Sequence, residues 1–162
     1  MIGWLPQIYR ATRRKASGEA WTSFVSQSSI VKALGGLLLA IPEPPSELAV
    51  AVAEFNSGQF WQCPETLEGI WIPEGYPLRL FYHGLIKAAV GMLHLQGRNR
   101  RGARLKLGEA LYTLAPFVPE FMGIDVARLQ TKANERLNLV QDGQHLDWKS
   151  VEALPPVRIG WS

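Results

Sequence analysis

The chain has 162 residues, of which 47% are hydrophobic and 19% are charged, and its formal net charge is +3. These values are typical of one soluble globular domain and exclude an intrinsically disordered chain. The small net charge does not by itself indicate nucleic-acid binding, although basic residues are concentrated in residues 1–40 and 97–106.

The apolar run at residues 30–41 contains a lysine and two glycines and is too short to span a bilayer. About thirty residues precede this run, and two of them are tryptophan, which argues against a signal peptide. A single cysteine, Cys63, excludes a disulfide within the chain and favours a reducing compartment. We therefore expect a cytoplasmic protein without a membrane span.

Helical periodicity dominates the sequence and predicts an all-α bundle of about five core helices with an N-terminal helical extension. The extension comprises residues 1–41, with helices predicted roughly at 2–16 and 21–40. It either covers one side of the bundle or reaches another subunit. An extension that reaches another subunit would join copies of the chain into a homo-oligomer.

The bundle domain is predicted over residues 42–143, and an irregular tail packed on the bundle follows over residues 144–162. No alternating pattern indicates a strand. The most apolar helix, 78–96, is expected at the centre of the bundle. The other predicted helices begin at Ser46 as N-cap, near Pro64 in a first turn, near Asn99, and at Asp125 as N-cap.

Two glutamates, Glu65 and Glu68, lie three residues apart in the stretch PETLEGIW, with Trp71 three further on. On a helix this spacing places both carboxylates on one face, where acid–base chemistry, metal binding or a structural ion network could use them. The neighbouring residue Cys63 lies at a helix start, where the helix dipole lowers a thiol pKa, although a packing role is favoured.

The central helix carries a narrow polar stripe on an apolar cylinder, because His83, Lys87 and His94 fall within about 40° of one another. A buried lysine needs a partner, and Glu65 or Glu68 is the predicted one for Lys87. His94 is then predicted to pair with the other glutamate. These residues should form one partly buried polar cluster.

The run at residues 97–106 places Arg100, Arg101 and Arg104 in the first turns of a helix that Asn99 is predicted to cap. Positive charge is disfavoured at this end of a helix, so a nearby anion is expected. The anion is either a small ligand, a phosphate or carboxylate held by residues 99–104 together with Lys87, or an acid of the protein itself. The third alternative, a solvated charge run, is the commonest explanation of such a pattern.

The same arginines suit weak nucleic-acid binding as a second alternative function, yet no known reading motif surrounds them. Nucleic acid is therefore not the expected partner. No glycine-rich phosphate loop and no paired Cys-x-x-Cys is present, so no cofactor is predicted.

Four ordered motifs, FNSGQF, PETLEGIW, FYHGLIKAAVGMLHL and GRNRRGARLKLGEAL, resemble the domain-of-unknown-function 309 family over about residues 47–130. The resemblance implies a compact antiparallel helical bundle and no established activity. This chain departs from the family pattern twice: Pro64 stands where histidine usually precedes the first glutamate, and Lys87 replaces the glutamine of G-L-I-Q.

Two functions of different class follow from these patterns. The first is a non-catalytic or ligand-binding helical protein with a structural polar core of Glu65, Glu68, Lys87 and His94. The alternative is a metal-assisted or acid–base hydrolase-like enzyme that uses Glu65, Glu68 and His94. Since Pro64 replaces a histidine, too few ligands remain for a tight transition-metal site, and no metal is predicted.

Overall fold

The structure is a computed structural model that describes residues 43–75, 78–141 and 145–162. Over these residues it contains six α-helices and one 3-10 helix (Ala115–Phe117), and the predicted all-α class is confirmed. The helices are α1 (Ser46–Asn56), α2 (Gln62–Trp71), α3 (Leu78–Gln96), α4 (Arg100–Leu114), α5 (Val126–Leu139) and α6 (Trp148–Glu152). The helices predicted at 2–16 and 21–40 lie outside the described residues.

Helix α3 occupies the centre of the bundle, between α2 and α4, as its apolar composition predicts. Helix α1 packs against α2, and α5 packs against α4, so that neighbours in the chain are neighbours in space. In the described part of the chain, none of the helices combines the length and the hydropathy needed to cross a bilayer.

Glycines bring α3 and α4 close together and show that the two helices run antiparallel. A Cβ atom at Gly84 would lie 2.6 Å from Cγ of Leu114, and one at Gly91 would lie 2.7 Å from Cδ2 of Leu107. As the position on α3 advances, its partner on α4 moves back along the chain. Each leucine therefore fills the space that a side chain on α3 would need.

Helix ends follow the predicted caps with small differences. Oδ1 of Asp125 accepts a hydrogen bond from the N–H of Arg128 at 2.9 Å, which makes Asp125 the N-cap of α5 as predicted. Helix α1 begins one residue earlier than predicted, since Pro45 is its N-cap and Ser46 already has helical geometry. Proline suits such a position because it has no N–H to satisfy.

A short antiparallel hairpin contradicts the prediction that the chain has no strand. Strands β1 (Glu120–Phe121) and β2 (Ile124–Asp125) are joined by Met122 and Gly123, whose φ angles are 50° and 76°. Two positive φ values suit the tight turn of a two-residue hairpin. The strands have two residues each, too few to show an alternating pattern in the sequence.

The C-terminal tail packs on the bundle, but it is more regular than predicted. It contains α6, which Asp147 caps by accepting hydrogen bonds from the N–H of Lys149 and the hydroxyl of Ser150. Val157 and Ile159 are buried, whereas Trp161 is 50% exposed. Small aliphatic side chains therefore hold the tail down, and Trp161 bridges to the hairpin at Ile124 through its backbone.

Candidate functional site

The two glutamates of PETLEGIW lie on the outer surface of α2, and both are exposed. The opposite side of the helix is buried through Cys63, Pro64 and Leu67. Pro64 thus occupies the buried face of the first turn, and the carboxylates that follow it point away from the core. The prediction that Glu65 and Glu68 belong to a buried polar cluster is wrong.

Two large apolar side chains flank these carboxylates. Trp61 is 65% exposed and Ile72 is 63% exposed, and both have helical backbone angles at the ends of α2. At 100° per residue, positions 61, 65, 68 and 72 fall within about 60° of one another. We call the surface formed by Trp61, Glu65, Glu68 and Ile72 the acidic face.

Charge is unevenly distributed along the described chain. Residues 43–75, which form α1 and α2, hold six glutamates and no lysine, arginine or histidine. Residues 78–141 hold ten lysines and arginines against four acids. The acidic face therefore belongs to a segment that carries no positive side chain of its own.

Lys87 finds its partners on α4 and not on α2. Its Nζ lies 3.3 Å from Oγ1 of Thr113 and 3.8 Å from Oε2 of Glu109. The prediction that Glu65 or Glu68 pairs with Lys87 is therefore wrong. The spacing of charges along the chain could not reveal which neighbouring helix turns an acid toward this lysine.

His94 is also separated from the glutamates, contrary to the prediction. Its Nδ1 lies 3.2 Å from Nδ2 of Asn99, and its ring packs against Gly102, where a Cβ would approach within 2.6 Å. Among the residues that the structure describes, no three His, Cys, Asp or Glu side chains are grouped so that they could hold a metal ion.

The motif GRNRRGA has a clear structural role. Asn99 caps α4 as predicted, because its Oδ1 accepts a hydrogen bond from the N–H of Gly102 at 2.9 Å. Arg100 donates through Nε to the carbonyl oxygen of Val140 at 3.1 Å and through Nη2 to that of Gln141. These carbonyls lie at the C-terminal end of α5, where positive charge is favoured.

For Arg100, the C-terminal end of α5 thus takes the place of the predicted anion, because its carbonyl oxygens carry partial negative charge. Arg98 forms an ion pair with Glu152 of the tail at 2.8 Å. Arg101 is exposed and Arg104 is half-buried. A small anionic ligand at Arg101 and Arg104 stays a prediction, and nucleic acid stays the less favoured second alternative.

Trp71 covers the start of the polar stripe on α3. Its ring centroid lies 5.1 Å from that of His83, and the guanidinium of Arg79 lies 4.5 Å above the indole. Burial lowers the pKa of His83, and the neighbouring charge of Lys87 lowers it further. Burial likewise lowers the pKa of Lys87, against the opposing effect of Glu109.

Cys63 is buried, and its pKa is raised to about 12, chiefly by burial and further by the charge of Glu54. The favoured packing role agrees with the burial, and the alternative of a thiol with a lowered pKa is contradicted. Loss of hydration on burial outweighs the lowering effect of the backbone hydrogen bond with Phe55.

Sequence reasoning missed Thr113 and Glu109 as partners of Lys87, and it missed Trp61 and Ile72 beside the glutamates. The spacing of four, three and four residues between positions 61, 65, 68 and 72 was a readable signal for the acidic face. Nothing in the local sequence marks Thr113, because its contact depends on how α3 and α4 pack.

Comparison with known proteins finds similarity over part of the chain. Over 107 residues, which are 65% of this chain, the sequence is 26% identical to an uncharacterized protein of Aquifex aeolicus (strain VF5). The matched region is 32% of that relative, so the chain spans about a third of its length. Residues 48–105, from α1 to the start of α4, match the family model described as domain of unknown function (DUF309), and this match confirms the resemblance that the motifs predicted.

Proposed function

We propose that the protein is a non-catalytic helical binding module whose acidic face binds a cationic, partly apolar segment of a partner protein. The observation that carries this proposal is the position of Glu65 and Glu68 on the surface, between the exposed side chains of Trp61 and Ile72. Glu65 and Glu68 then belong to an exposed binding surface and not to a buried polar cluster.

Most residues of the family motifs have a packing or capping role, and the two glutamates do not. The rings of Phe55 and Phe60 meet edge to face at 5.1 Å, and Gly58 adopts a φ of 78° that disfavours a side chain. By contrast, Glu65 and Glu68 form no hydrogen bond or ion pair with another described residue. Their presence is therefore better explained by an external partner than by the fold.

A cationic partner fits the electrostatics of this surface. Two like charges three residues apart on a helix repel each other, and a bound lysine or arginine relieves that repulsion. No positive side chain within residues 43–75 competes for the carboxylates. Charge complementarity of this kind speeds association and selects the partner.

Apolar groups on the partner would contact the two ends of the face. Exposed large apolar side chains are common singly, but here they bracket a pair of charges along one helix. Tryptophan is enriched among residues that contribute most to binding free energy. The partner that fits best is thus a segment with central basic residues and flanking apolar ones.

The enzyme alternative would need a third group beside the carboxylates. His94 of α3, the residue predicted for this role, contacts Asn99 and Gly102 at the start of α4 instead. No observation on α2 favours acid–base catalysis over binding.

The proposal can be tested with two synthetic amphipathic peptides of equal length that share a leucine face. One carries lysines along its polar face, and the other carries glutamines at the same positions. Affinity is measured by fluorescence anisotropy of the labelled peptides at low and moderate salt. We expect the lysine peptide to bind more tightly than the glutamine peptide, and to weaken as salt rises.

The variant Glu65→Gln/Glu68→Gln should bind the lysine peptide about tenfold more weakly, and Trp61→Ser/Ile72→Ser should also lose affinity. Glu135→Gln is the matched control, since Glu135 is an exposed acid on α5 that pairs with Lys132. Equal loss in the control and in Glu65→Gln/Glu68→Gln would show non-specific attraction and refute the proposal. Failure of the lysine peptide to bind the wild-type protein would refute it as well.

A further inference from the structure

Lys87 lies within the packed part of the bundle and not on its charged surface. It is in the middle of α3, between the buried residues Ile86 and Ala88, and its side chain is only 14% exposed. The hydroxyl that it contacts belongs to Thr113, which is itself buried. An ammonium group in this position has lost most of its hydration.

The charge of this ammonium group is incompletely balanced. An ammonium has three donors, and the hydrogen bond at Nζ within the described residues goes to the neutral hydroxyl of Thr113. The carboxylate of Glu109 is 3.8 Å away and also binds Lys106 at 3.0 Å. One acid is thus shared between two lysines.

The groups near Lys87 carry little compensating negative charge. His83 lies one turn earlier on α3, and because its pKa is lowered it is neutral at pH 7. The charged groups that act on Lys87 are therefore Lys106 and Glu109, both on α4. Glu109 is the single acid among them.

The cluster opens to solvent on the α4 side, because the side chains of Lys106 and Glu109 are 38% and 43% exposed. The side chain of Lys87 keeps 14% of its exposure beside them, so the route to Nζ would run along these two side chains. The cation Lys106 would attract a negatively charged molecule to this opening.

We propose that Lys87 is a nucleophilic amine that forms a Schiff base with small anionic aldehydes. The neutral amine of Lys87 attacks the aldehyde carbon to form a C–N bond, and the resulting carbinolamine loses water to give the imine. The two protons that nitrogen loses pass through Glu109 or solvent to the aldehyde oxygen, whose bond to carbon breaks as it leaves as water. Thr113 holds the amine, and Lys106 binds the carboxylate of the aldehyde.

The lowered pKa of Lys87 supports this reactivity, since a larger fraction of the amine is neutral at pH 7. Desolvation is the main cause, and Lys106 acts in the same direction. Glu109 acts in the opposite direction because it stabilises the ammonium form.

The test treats the full chain at pH 7 with glyoxylate and cyanoborohydride, which reduces the imine to a stable adduct. Peptide mass spectrometry then gives the rate of modification at each lysine. Lys132, whose side chain is 45% exposed, is the internal reference. We expect Lys87 to react at least about threefold faster than Lys132 despite its lower exposure.

Two variants test whether the charges near Lys87, and not its exposure, set its rate of modification. Glu109→Gln removes the group that raises the pKa of Lys87, so its rate relative to Lys132 should increase. Lys106→Gln removes a cation, so the relative rate should decrease. Propanal, a neutral aldehyde, should show a smaller preference for Lys87 than glyoxylate does.

A rate at Lys87 equal to or below that at Lys132 would overturn the proposal, because burial would then simply protect the amine. The proposal would also be overturned if Lys87 reacts fast but its rate relative to Lys132 is the same in Glu109→Gln and in Lys106→Gln as in the wild-type protein. Circular dichroism and urea unfolding of each variant show whether it keeps the fold, since unfolding would expose Lys87 and raise its rate.

Discussion

The side-chain amide of Asn56 forms two hydrogen bonds with the backbone of Ile159. Its Nδ2 donates to the carbonyl oxygen of Ile159 at 2.8 Å, and its Oδ1 accepts from the N–H of Ile159 at 2.7 Å. The two residues are 103 positions apart, so this pair fastens the C-terminal tail to the end of α1. The asparagine of the F-N-x-G-x-F motif therefore secures tertiary structure.

Replacing this asparagine should lower stability through the loss of two hydrogen bonds. We expect Asn56→Ala to reduce the free energy of unfolding by about 2 kcal/mol, because both backbone groups of Ile159 lose their partner. Urea unfolding measures the change. Asn134→Ala is the matched control, since Asn134 is exposed on α5, and equal effects in the two variants would contradict the assigned role.

Replacing a glycine of the bundle with alanine should raise or lower stability according to the space around that glycine. Gly91→Ala would place a Cβ 3.1 Å from the backbone N of Leu107 and 2.7 Å from its Cδ2. We expect it to destabilise the fold by about 1–3 kcal/mol, as overpacking does. Gly108→Ala is the control: nothing lies within 4 Å of its Cβ, so it should stabilise by about 0.5–1 kcal/mol through helix propensity. Thermal unfolding of both variants checks the opposite signs.

Within the arginine run, Arg100 should contribute to the free energy of unfolding and Arg101 should not. Arg100→Met removes the donors to the carbonyl oxygens of Val140 and Gln141, and we expect a loss of about 1–2 kcal/mol in unfolding free energy. Arg101→Met, at an exposed position next to it, should change stability by less than about 0.5 kcal/mol. Similar values for the two variants would argue that Arg100 does not hold the end of α5.

Cys63 should be unreactive in the folded protein. Its raised pKa of about 12 leaves almost no thiolate at pH 8, so reaction with a disulfide reagent should be about a hundredfold or more slower than in urea. A folded pKa above the usual value of 9.0 stabilises the fold fully below that pH, and this contribution is lost as pH rises toward 12. Absorbance of the released thiol follows the reaction, and fast labelling under native conditions would disprove the buried position.

The glutamates of α2 should be dispensable for folding. A buried charge network would lose about 3 kcal/mol or more on disruption, but exposed side chains typically contribute less than about 0.5 kcal/mol. We therefore expect Glu65→Gln/Glu68→Gln to unfold at the same urea concentration as the wild-type protein. A large loss of stability would contradict their surface position and the binding role based on it.

The helices themselves were largely predictable because their signals are local. Prolines, the N-cap Asp125 and the apolar period of α3 are read from neighbouring residues. The hairpin was missed because each strand has only two residues. The short helix α6 was missed because its single turn shows no period.

The candidate site was predicted less well than the fold. The exposed pair Glu65 and Glu68 was identified as important, but its environment was assigned incorrectly. The error arose from pairing Lys87 with the acids that stand out in the sequence, whereas Glu109 lies on the helix that packs beside it.

The sequence by itself determined the all-α class, the central position of α3 and the family motifs, since these depend on composition and on periodicity within one helix. Only the tertiary structure decided which helix faces meet. Packing turned Pro64 and Leu67 inward, left Glu65 and Glu68 in water, and set Lys87 against Thr113. The physical reason is that the rotation of a helix about its axis is selected by the fit of side chains from distant parts of the chain.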